Sequence, residues 1–341
     1  MLFRLSCPTP VFSCSPLWTV FWWELFAIPS ALSVNFQFFC RNDGSPALVA
    51  VATVISTVLN IFLDWLFVFP MQMGIMGAAI ATGISQTVSW LVVAMHFILH
   101  KDDLRIRPYK PQMGMFGQII FFGLPEMIAQ FATPVTTICL NTVIVAHLGE
   151  VGVNAFAVIS YVASLAISVF AGAAEGLQPL FGQTYGAKEE KDMKWYFRSG
   201  MLISFVGSIV IVGLCIFFGR PICSLFGADD ETLEYTLYYL PQYAWALVVV
   251  GLNTMISAYL YSTKRSGYAI PLNICRALVF NTLIIRGLPA LVGESIIWYT
   301  YGIAEGAVLV LAVILLKSYG NNPAYSLLSR CAYVAQPSRN G

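Results

Sequence analysis

The sequence has little charge for its length, because Asp, Glu, Lys and Arg make up only 10% of its 341 residues. A soluble domain is usually about 25% charged and about 45–50% apolar, whereas 58% of this chain is hydrophobic. Its mean hydropathy is +0.75. Uncharged stretches of roughly 20 residues, enough for a helix to cross a hydrocarbon core of about 30 Å, recur along the chain. These features exclude an ordinary soluble domain and predict an integral membrane protein.

The sequence also lacks the common signatures of enzymes and metal sites. It has no P-loop, no GxSxG segment and no HExxH segment, so neither ATP hydrolysis nor hydrolase chemistry is expected. The eight cysteines form no CxxC pair and there are only three histidines, so neither a disulfide framework nor a metal site is expected. The net charge of +1 gives no reason to expect nucleic-acid binding. We therefore predict a protein that is not an enzyme and has no cofactor.

Apolar runs interrupted by turn-forming and charged segments predict an all-α membrane bundle with nine transmembrane helices. The predicted helices cover residues 17–39, 47–69, 76–99, 115–146, 152–183, 197–218, 236–262, 268–289 and 292–316. The chain then divides into a tail, three helices, a loop, six helices and a second tail, over residues 1–16, 17–100, 101–114, 115–317 and 318–341.

The positions of Lys and Arg predict the orientation of these helices. Most of the 18 basic residues follow the first, third, fifth, seventh and ninth predicted helices. Basic residues concentrate in cytoplasmic loops, so the loop at 101–114 and the tail at 318–341 are expected in the cytoplasm. The prediction is a multi-pass protein of the plasma membrane whose first helix starts outside.

An internal repeat relates the beginning of the chain to its end. SPALVAVATVISTVLN (45–60) and SGYAIPLNICRALVFN (266–281) have equal length, both open with Ser and both close with Asn. Further on, the two copies align at Gly83 and Gly302. Three predicted helices precede the second copy, but only 16 residues precede the first. We therefore expect an N-terminally truncated version of a 12-helix protein, with two parallel repeats of six helices each.

Three segments resemble the multidrug and toxic compound extrusion (MATE) family of the MOP flippase superfamily. They are NIFLDWLFVFPMQMGIMGAAIATGISQ (60–86), GLPEMIAQ (123–130) and EGLQPLFGQTYGAK (175–188), within a resemblance that extends over 17–317. The resemblance implies two six-helix lobes around a central cavity, here a partial N-lobe and a complete C-lobe. It also implies export of cationic or amphipathic organic compounds in exchange for H⁺ or Na⁺, by a protein that works as a monomer in the lipid bilayer.

The first candidate site is formed by Glu175, Gln178 and Pro179 in one apolar helix. A carboxylate at the centre of a membrane helix costs about 2.5–3.5 kcal/mol and is usually functional. Pro179 cannot donate to the carbonyl of Glu175 and favours a kink there. A carboxylate, an exposed carbonyl and an amide on neighbouring turns suit a proton or another cation. The alternative is a structural contact of Glu175 between the lobes.

Five further polar residues of the predicted C-lobe helices are candidates for substrate or ion binding. Glu126 and Gln130 are four residues apart and lie on one helix face, near the start of their helix. Glu305 aligns with Gln86 of the other repeat and is a second candidate proton carrier. Asn141 and Asn253 either line the lobe or join helices by hydrogen bonds.

Asn60 and Asp64 are also four residues apart and are expected to form a structural polar pair between helices. Arg276 lies within a predicted helix and requires a carboxylate partner, which the sequence does not identify.

Two other functions remain open from the sequence. A lipid-linked oligosaccharide flippase of the same superfamily would need Arg and Lys around its cavity to bind pyrophosphate, and only Arg276 and Arg286 qualify. A membrane fragment without transport activity is the alternative outside the transporters.

Overall fold

A computed structural model describes residues 16–99, 113–225, 230–263 and 266–320 of the chain. Within these ranges every regular element is a helix. The chain divides into two compact units, the first ending at Lys110 and the second starting at Pro111. The predicted loop at 101–114 and the two predicted tails lie almost entirely outside the described residues.

The first unit consists of three helices, α1 (Pro16–Asn42), α2 (Pro46–Val68) and α3 (Gly74–Leu99). Its small core is formed by Cys40, Val49, Ala52 and Val93. Pro46 stands in the first turn of α2, where its missing N–H group would have no helical partner in any case. Polar side chains add links between the helices, since the Ser56 hydroxyl donates to the backbone oxygen of Ser85 at 2.9 Å.

The second unit begins with α4 (Met113–Ala187), a continuous helical run bent at Gly149. Gly149 has φ 65° and ψ −155°, a combination that is open almost only to glycine. The bend falls between the two helices predicted at 115–146 and 152–183. Gly149 is the one position inside α4 with non-helical backbone angles, so the backbone angles at Pro179 are helical.

The remaining helices of the second unit follow in chain order. They are α5 (Glu190–Phe217), α6 (Gly219–Leu225), α7 (Asp230–Ser262), α8 (Ser266–Ile274), a π-helical turn (Cys275–Phe280), α9 (Asn281–Val292), a 3₁₀ turn (Glu294–Ile296) and α10 (Ile297–Gly320). The predicted helix at 268–289 thus contains most of α8, the π-helical turn and most of α9.

Seven helices among the described residues are long and apolar enough to cross a membrane. One of them, Gly114–Ala187, contains two of the predicted spans. The first predicted span, 17–39, lies in α1, which is not among these seven helices, so the count of nine is not confirmed.

Helix α7 lies at the centre of the second unit, because it packs against α4, α5 and α10 and is the most buried of the seven helices. Glycines allow two of these close approaches. A Cβ atom at Gly251 of α7 would lie 2.6 Å from the Ser208 hydroxyl of α5. A Cβ atom at Gly302 of α10 would overlap the Trp245 ring of α7. Small residues of this kind let membrane helices pack closely.

We predict that Gly302→Ala destabilises the second unit, because the rigid Trp245 ring must move to accommodate the added methyl group. Overpacking of this type costs about 1–3 kcal/mol. Thermal unfolding of the purified chain in detergent measures the effect. The matched control is Gly306→Ala on the same helix, where an added Cβ meets no atom within 4 Å. An equal loss of stability in both variants would contradict the packing argument.

Candidate functional site

A cavity of about 150 Å³ lies inside the second unit, between α4, α7, the π-helical turn, α9 and α10. Three carboxylates and one guanidinium line it, from Glu126, Glu175, Glu305 and Arg276. The neutral polar residues of its wall are Gln130, Thr133, Thr136, Gln178, Thr254, Ser257, Tyr261, Asn281 and Tyr301. The lining therefore carries two more acidic groups than basic ones.

Arg276 and Glu305 form a buried ion pair in the wall of the cavity. The Arg276 Nε atom donates to Glu305 Oε1 at 2.9 Å, and the two side chains are only 12% and 1% exposed. Asn253 of α7 donates its Nδ2 group to Glu305 Oε2 at 2.7 Å and to the Glu305 backbone oxygen at 3.0 Å. Both carboxylate oxygens thus accept a hydrogen bond, which a buried ion pair needs in order to be stable. The partner of Arg276 that the sequence left open is Glu305.

The π-helical turn determines where Arg276 lies. Arg276 is the second residue of the turn, and Pro271 precedes the turn by one helical turn. A π-helical turn holds an extra residue and rotates the residues that follow it, and such turns are frequent at functional sites. Asn281 comes directly after the turn and donates to the Thr136 hydroxyl of α4 at 2.5 Å. The turn thus places both Arg276 and Asn281 in the cavity wall.

The bend of α4 brings the other two carboxylates to the same cavity. Glu126 and Gln130 lie before the bend, and Gln130 Nε2 donates to Glu126 Oε1 at 3.1 Å. Glu175 and Gln178 lie after the bend and are half-buried in the wall. Residues about 50 positions apart meet here because the helix reverses direction at Gly149.

Two tyrosines complete the wall. The Tyr261 hydroxyl accepts from Asn273 Nδ2 at 2.9 Å, and the same amide group donates to the backbone oxygen of Pro125 at 2.8 Å. Tyr301 stacks on Tyr243 with ring centroids 5.4 Å apart. Sequence reasoning missed Tyr261 and Tyr301, because tyrosines in membrane helices most often form interfacial belts. No local sequence pattern distinguishes a tyrosine of an interfacial belt from a tyrosine that lines a cavity.

The structure brings five of the predicted site residues together around the cavity, namely Glu126, Gln130, Glu175, Gln178 and Glu305. Asn253 lies behind the lining, where it supports Glu305. Pro179 follows Gln178 without lining the cavity, and Asn141 is exposed on α4 outside it. The binding roles of all these residues stay predictions.

In the first unit, Asn60 Nδ2 reaches the Thr82 hydroxyl at 3.5 Å and so joins α2 to α3. Asp64 is half-buried, and its Oδ1 atom has no hydrogen-bond partner among the described residues. The contact of Asn60 agrees with a polar link between helices, whereas the role of the Asn60 and Asp64 pair as a whole stays a prediction.

The chain is similar to export proteins of staphylococci. It is 24% identical over 283 residues to the multidrug export protein MepA of Staphylococcus aureus (strain MSSA476), an alignment that covers 82% of this chain and 61% of that protein. It is 22% identical over 289 residues to MepA of Staphylococcus haemolyticus (strain JCSC1435), with 83% and 62% covered. The chain thus spans less than two thirds of the length of these curated relatives. Their names agree with the expectation that the chain is not an enzyme.

The chain is also similar in fold to solved structures of membrane transporters. A mutant form of the MATE transporter VcmN from Vibrio cholerae matches 90% of this chain and 72% of its own, with a TM-score of 0.78 and 20% identity. This likeness confirms an all-helical membrane fold of the MATE type. The MatE family model matches residues 114–285, which is half of the chain and includes four of the five predicted residues around the cavity. The chain therefore belongs to the MatE family.

Proposed function

We propose that this multi-pass membrane protein is a secondary antiporter that exports cationic or amphipathic organic compounds in exchange for H⁺ or Na⁺. The observation that carries the proposal is the acidic cavity of the second unit, with three carboxylates and one guanidinium in its wall. Membership of the MatE family and the similarity to multidrug export proteins support it.

Glu126 and Glu175 are the groups that we assign to cation binding. Both line the cavity, and both lie in α4 within a segment that the MatE family model matches. Carboxylates within membrane-spanning helices usually have a functional role, and their negative charge attracts a cation. A substrate cation and a coupling ion that use the same two carboxylates exclude each other, so binding of one favours release of the other.

Glu305 has a different role in this proposal. Its two oxygens already accept from Arg276 and Asn253, so its negative charge is balanced within the protein. Exchange of a proton or a sodium ion at Glu305 would first have to break the ion pair. Glu305 therefore holds Arg276 in place, while Glu126 and Glu175 exchange cations.

The acidic lining of the cavity disfavours the alternative function as a lipid-linked oligosaccharide flippase. A pyrophosphate group requires several positive charges around it. Within the described residues, Arg276 is the one basic group in the cavity wall, and Glu305 balances it. Arg286, the other candidate, is exposed on α9 outside the cavity.

The proposed location is the plasma membrane, with a cytoplasmic C-terminus. The concentration of Lys and Arg after alternate predicted helices supports this orientation. The proposed working unit is a monomer, as the resemblance to the MATE family implies.

Glu126→Gln and Glu175→Gln should each weaken binding of the monocation ethidium about tenfold, because each removes one negative charge, equivalent to about 1.4 kcal/mol, from the cavity. Fluorescence titration of the purified chain in nanodiscs measures the affinity. Glu150→Gln is the matched control, since Glu150 is exposed next to the Gly149 bend and does not line the cavity. Unchanged ethidium binding in the Glu126→Gln/Glu175→Gln double variant would refute the assignment.

The same titration identifies the coupling ion. If protons compete, the ethidium affinity of the wild-type chain falls as the pH is lowered at constant Na⁺, because protonation neutralises the carboxylates. If sodium competes, the affinity falls as NaCl replaces choline chloride at constant pH and ionic strength. The dependence should vanish in the Glu126→Gln/Glu175→Gln variant. An affinity that responds to neither ion would exclude exchange at these carboxylates.

A further inference from the structure

Helix α5 has an exposed side that is basic where the helix begins and apolar further along. Six exposed residues form this side, and successive members are three or four residues apart, so all of them lie on the same side of the helix. They are Lys191, Trp195, Arg198, Leu202, Val206 and Ile209. The two cations and the indole therefore lie directly before a row of apolar side chains.

The opposite side of α5 is occupied by other helices of the second unit. Met193, Gly200 and Ser204 are buried there. A Cβ atom at Gly200 would lie 2.8 Å from a side-chain carbon of Leu177 in α4 and 2.9 Å from the sulfur of Met255 in α7. Packing thus fixes which side of α5 faces outward. In a membrane-spanning helix, an outward side with exposed Leu, Val and Ile suits contact with lipid acyl chains.

The two cations on the outward side are not paired within the protein. Lys194, their neighbour on α5, has a partner, since its Nζ atom lies 3.5 Å from Glu190 Oε2. Lys191 and Arg198 have neither an ion pair nor a hydrogen bond within the part of the chain that the structure describes. Asp192, the other carboxylate in the first turn, lies about 100° or more around the helix from both cations. Both positive charges are therefore available to an external anion.

Trp195 lies between the two cations and is 63% exposed. Its ring packs edge-on against Tyr196, with the centroids 5.2 Å apart. Tryptophan is typical of the membrane–water interface, where its ring contacts the headgroup layer. Lys191 and Arg198 are seven residues apart, or about 10 Å along the helix, so their long side chains can converge beside the indole. An arginine binds a phosphate by two parallel bonds, and a lysine adds a point charge.

We infer that Lys191, Trp195 and Arg198 bind the phosphate group of an anionic phospholipid, whose acyl chains lie along Leu202, Val206 and Ile209. The beginning of α5 is expected on the cytoplasmic side, where the leaflet carries anionic lipids. A zwitterionic phospholipid fits less well, because its own cation offsets the attraction to the two basic residues. The inference requires only that the protein spans a membrane, so it goes beyond the proposed transport function and does not rest on it.

Quenching of Trp195 by brominated lipids in nanodiscs tests this inference with the full chain. The chain has eight tryptophans, so the Trp195 signal is the difference between the wild-type chain and Trp195→Phe. The nanodiscs contain phosphatidylcholine and increasing fractions of phosphatidylglycerol or phosphatidylcholine that is brominated in its acyl chains. Half-maximal quenching by the brominated phosphatidylglycerol should need an about 25-fold lower mole fraction, since each cation contributes a factor of about five.

The informative variant is Lys191→Gln/Arg198→Gln, measured against the same variant with Trp195→Phe. It should quench equally with both lipids. Its unfolding temperature in detergent should stay that of the wild-type chain, because neither cation has a partner to lose. The matched control is Lys194→Gln/Lys317→Gln, which also removes two exposed positive charges but leaves Lys191 and Arg198 in place. This control should keep the full preference for phosphatidylglycerol.

Four outcomes would overturn the inference. They are equal quenching by the two lipids in the wild-type chain, a preference that survives in Lys191→Gln/Arg198→Gln, an equal loss of preference in the control, and no quenching by either lipid. The last would show that protein covers this side of α5. Inorganic phosphate added to the nanodiscs should not change the quenching, because it has no acyl chains to contact the apolar residues. Displacement of phosphatidylglycerol by inorganic phosphate would indicate a site for soluble phosphate and would likewise refute a lipid site.

Discussion

Inside a hydrocarbon layer no water satisfies polar groups, so each of them needs a partner within the protein. The backbone meets this requirement by forming helices throughout the described residues. Side chains meet it in the second unit through a connected set of contacts, in which Glu305 accepts from both Arg276 and Asn253. These contacts join α7, the π-helical turn and α10 around one cavity. The charged cavity thus exists because its charges are held by neighbouring helices.

The positions of these helices depend in turn on small residues along α7 and its neighbours. Gly251 lies against Ser208 of α5, and Gly302 lies against Trp245. Asn253 is two residues from Gly251, and Glu305 is three residues from Gly302. Close packing of α10 on α7 at Gly302 therefore helps to set the distance at which Asn253 meets Glu305. A larger residue at Gly302 would change the geometry of the site as well as the packing.

Much of the architecture could be predicted from the sequence, since helix length and hydropathy are local properties. The break at Gly149 falls between two predicted helices, and all three carboxylates of the cavity were candidates beforehand. The candidate Asn141 lies outside the cavity, which the sequence could not indicate, because an asparagine on an apolar helix gives no sign of the face on which it lies. The π-helical turn also escaped prediction, since no residue pattern marks it.

The sequence by itself determined that the chain is an all-helical membrane protein with an internal repeat and with carboxylates at costly positions. The cost of charge in lipid acts on each residue separately, so composition and spacing reveal it. Only the tertiary structure decided that Glu305 is the partner of Arg276 and that Tyr261 and Tyr301 line the cavity. These facts depend on residues distant in the chain, which the bend at Gly149 and the rotation after the π-helical turn bring together.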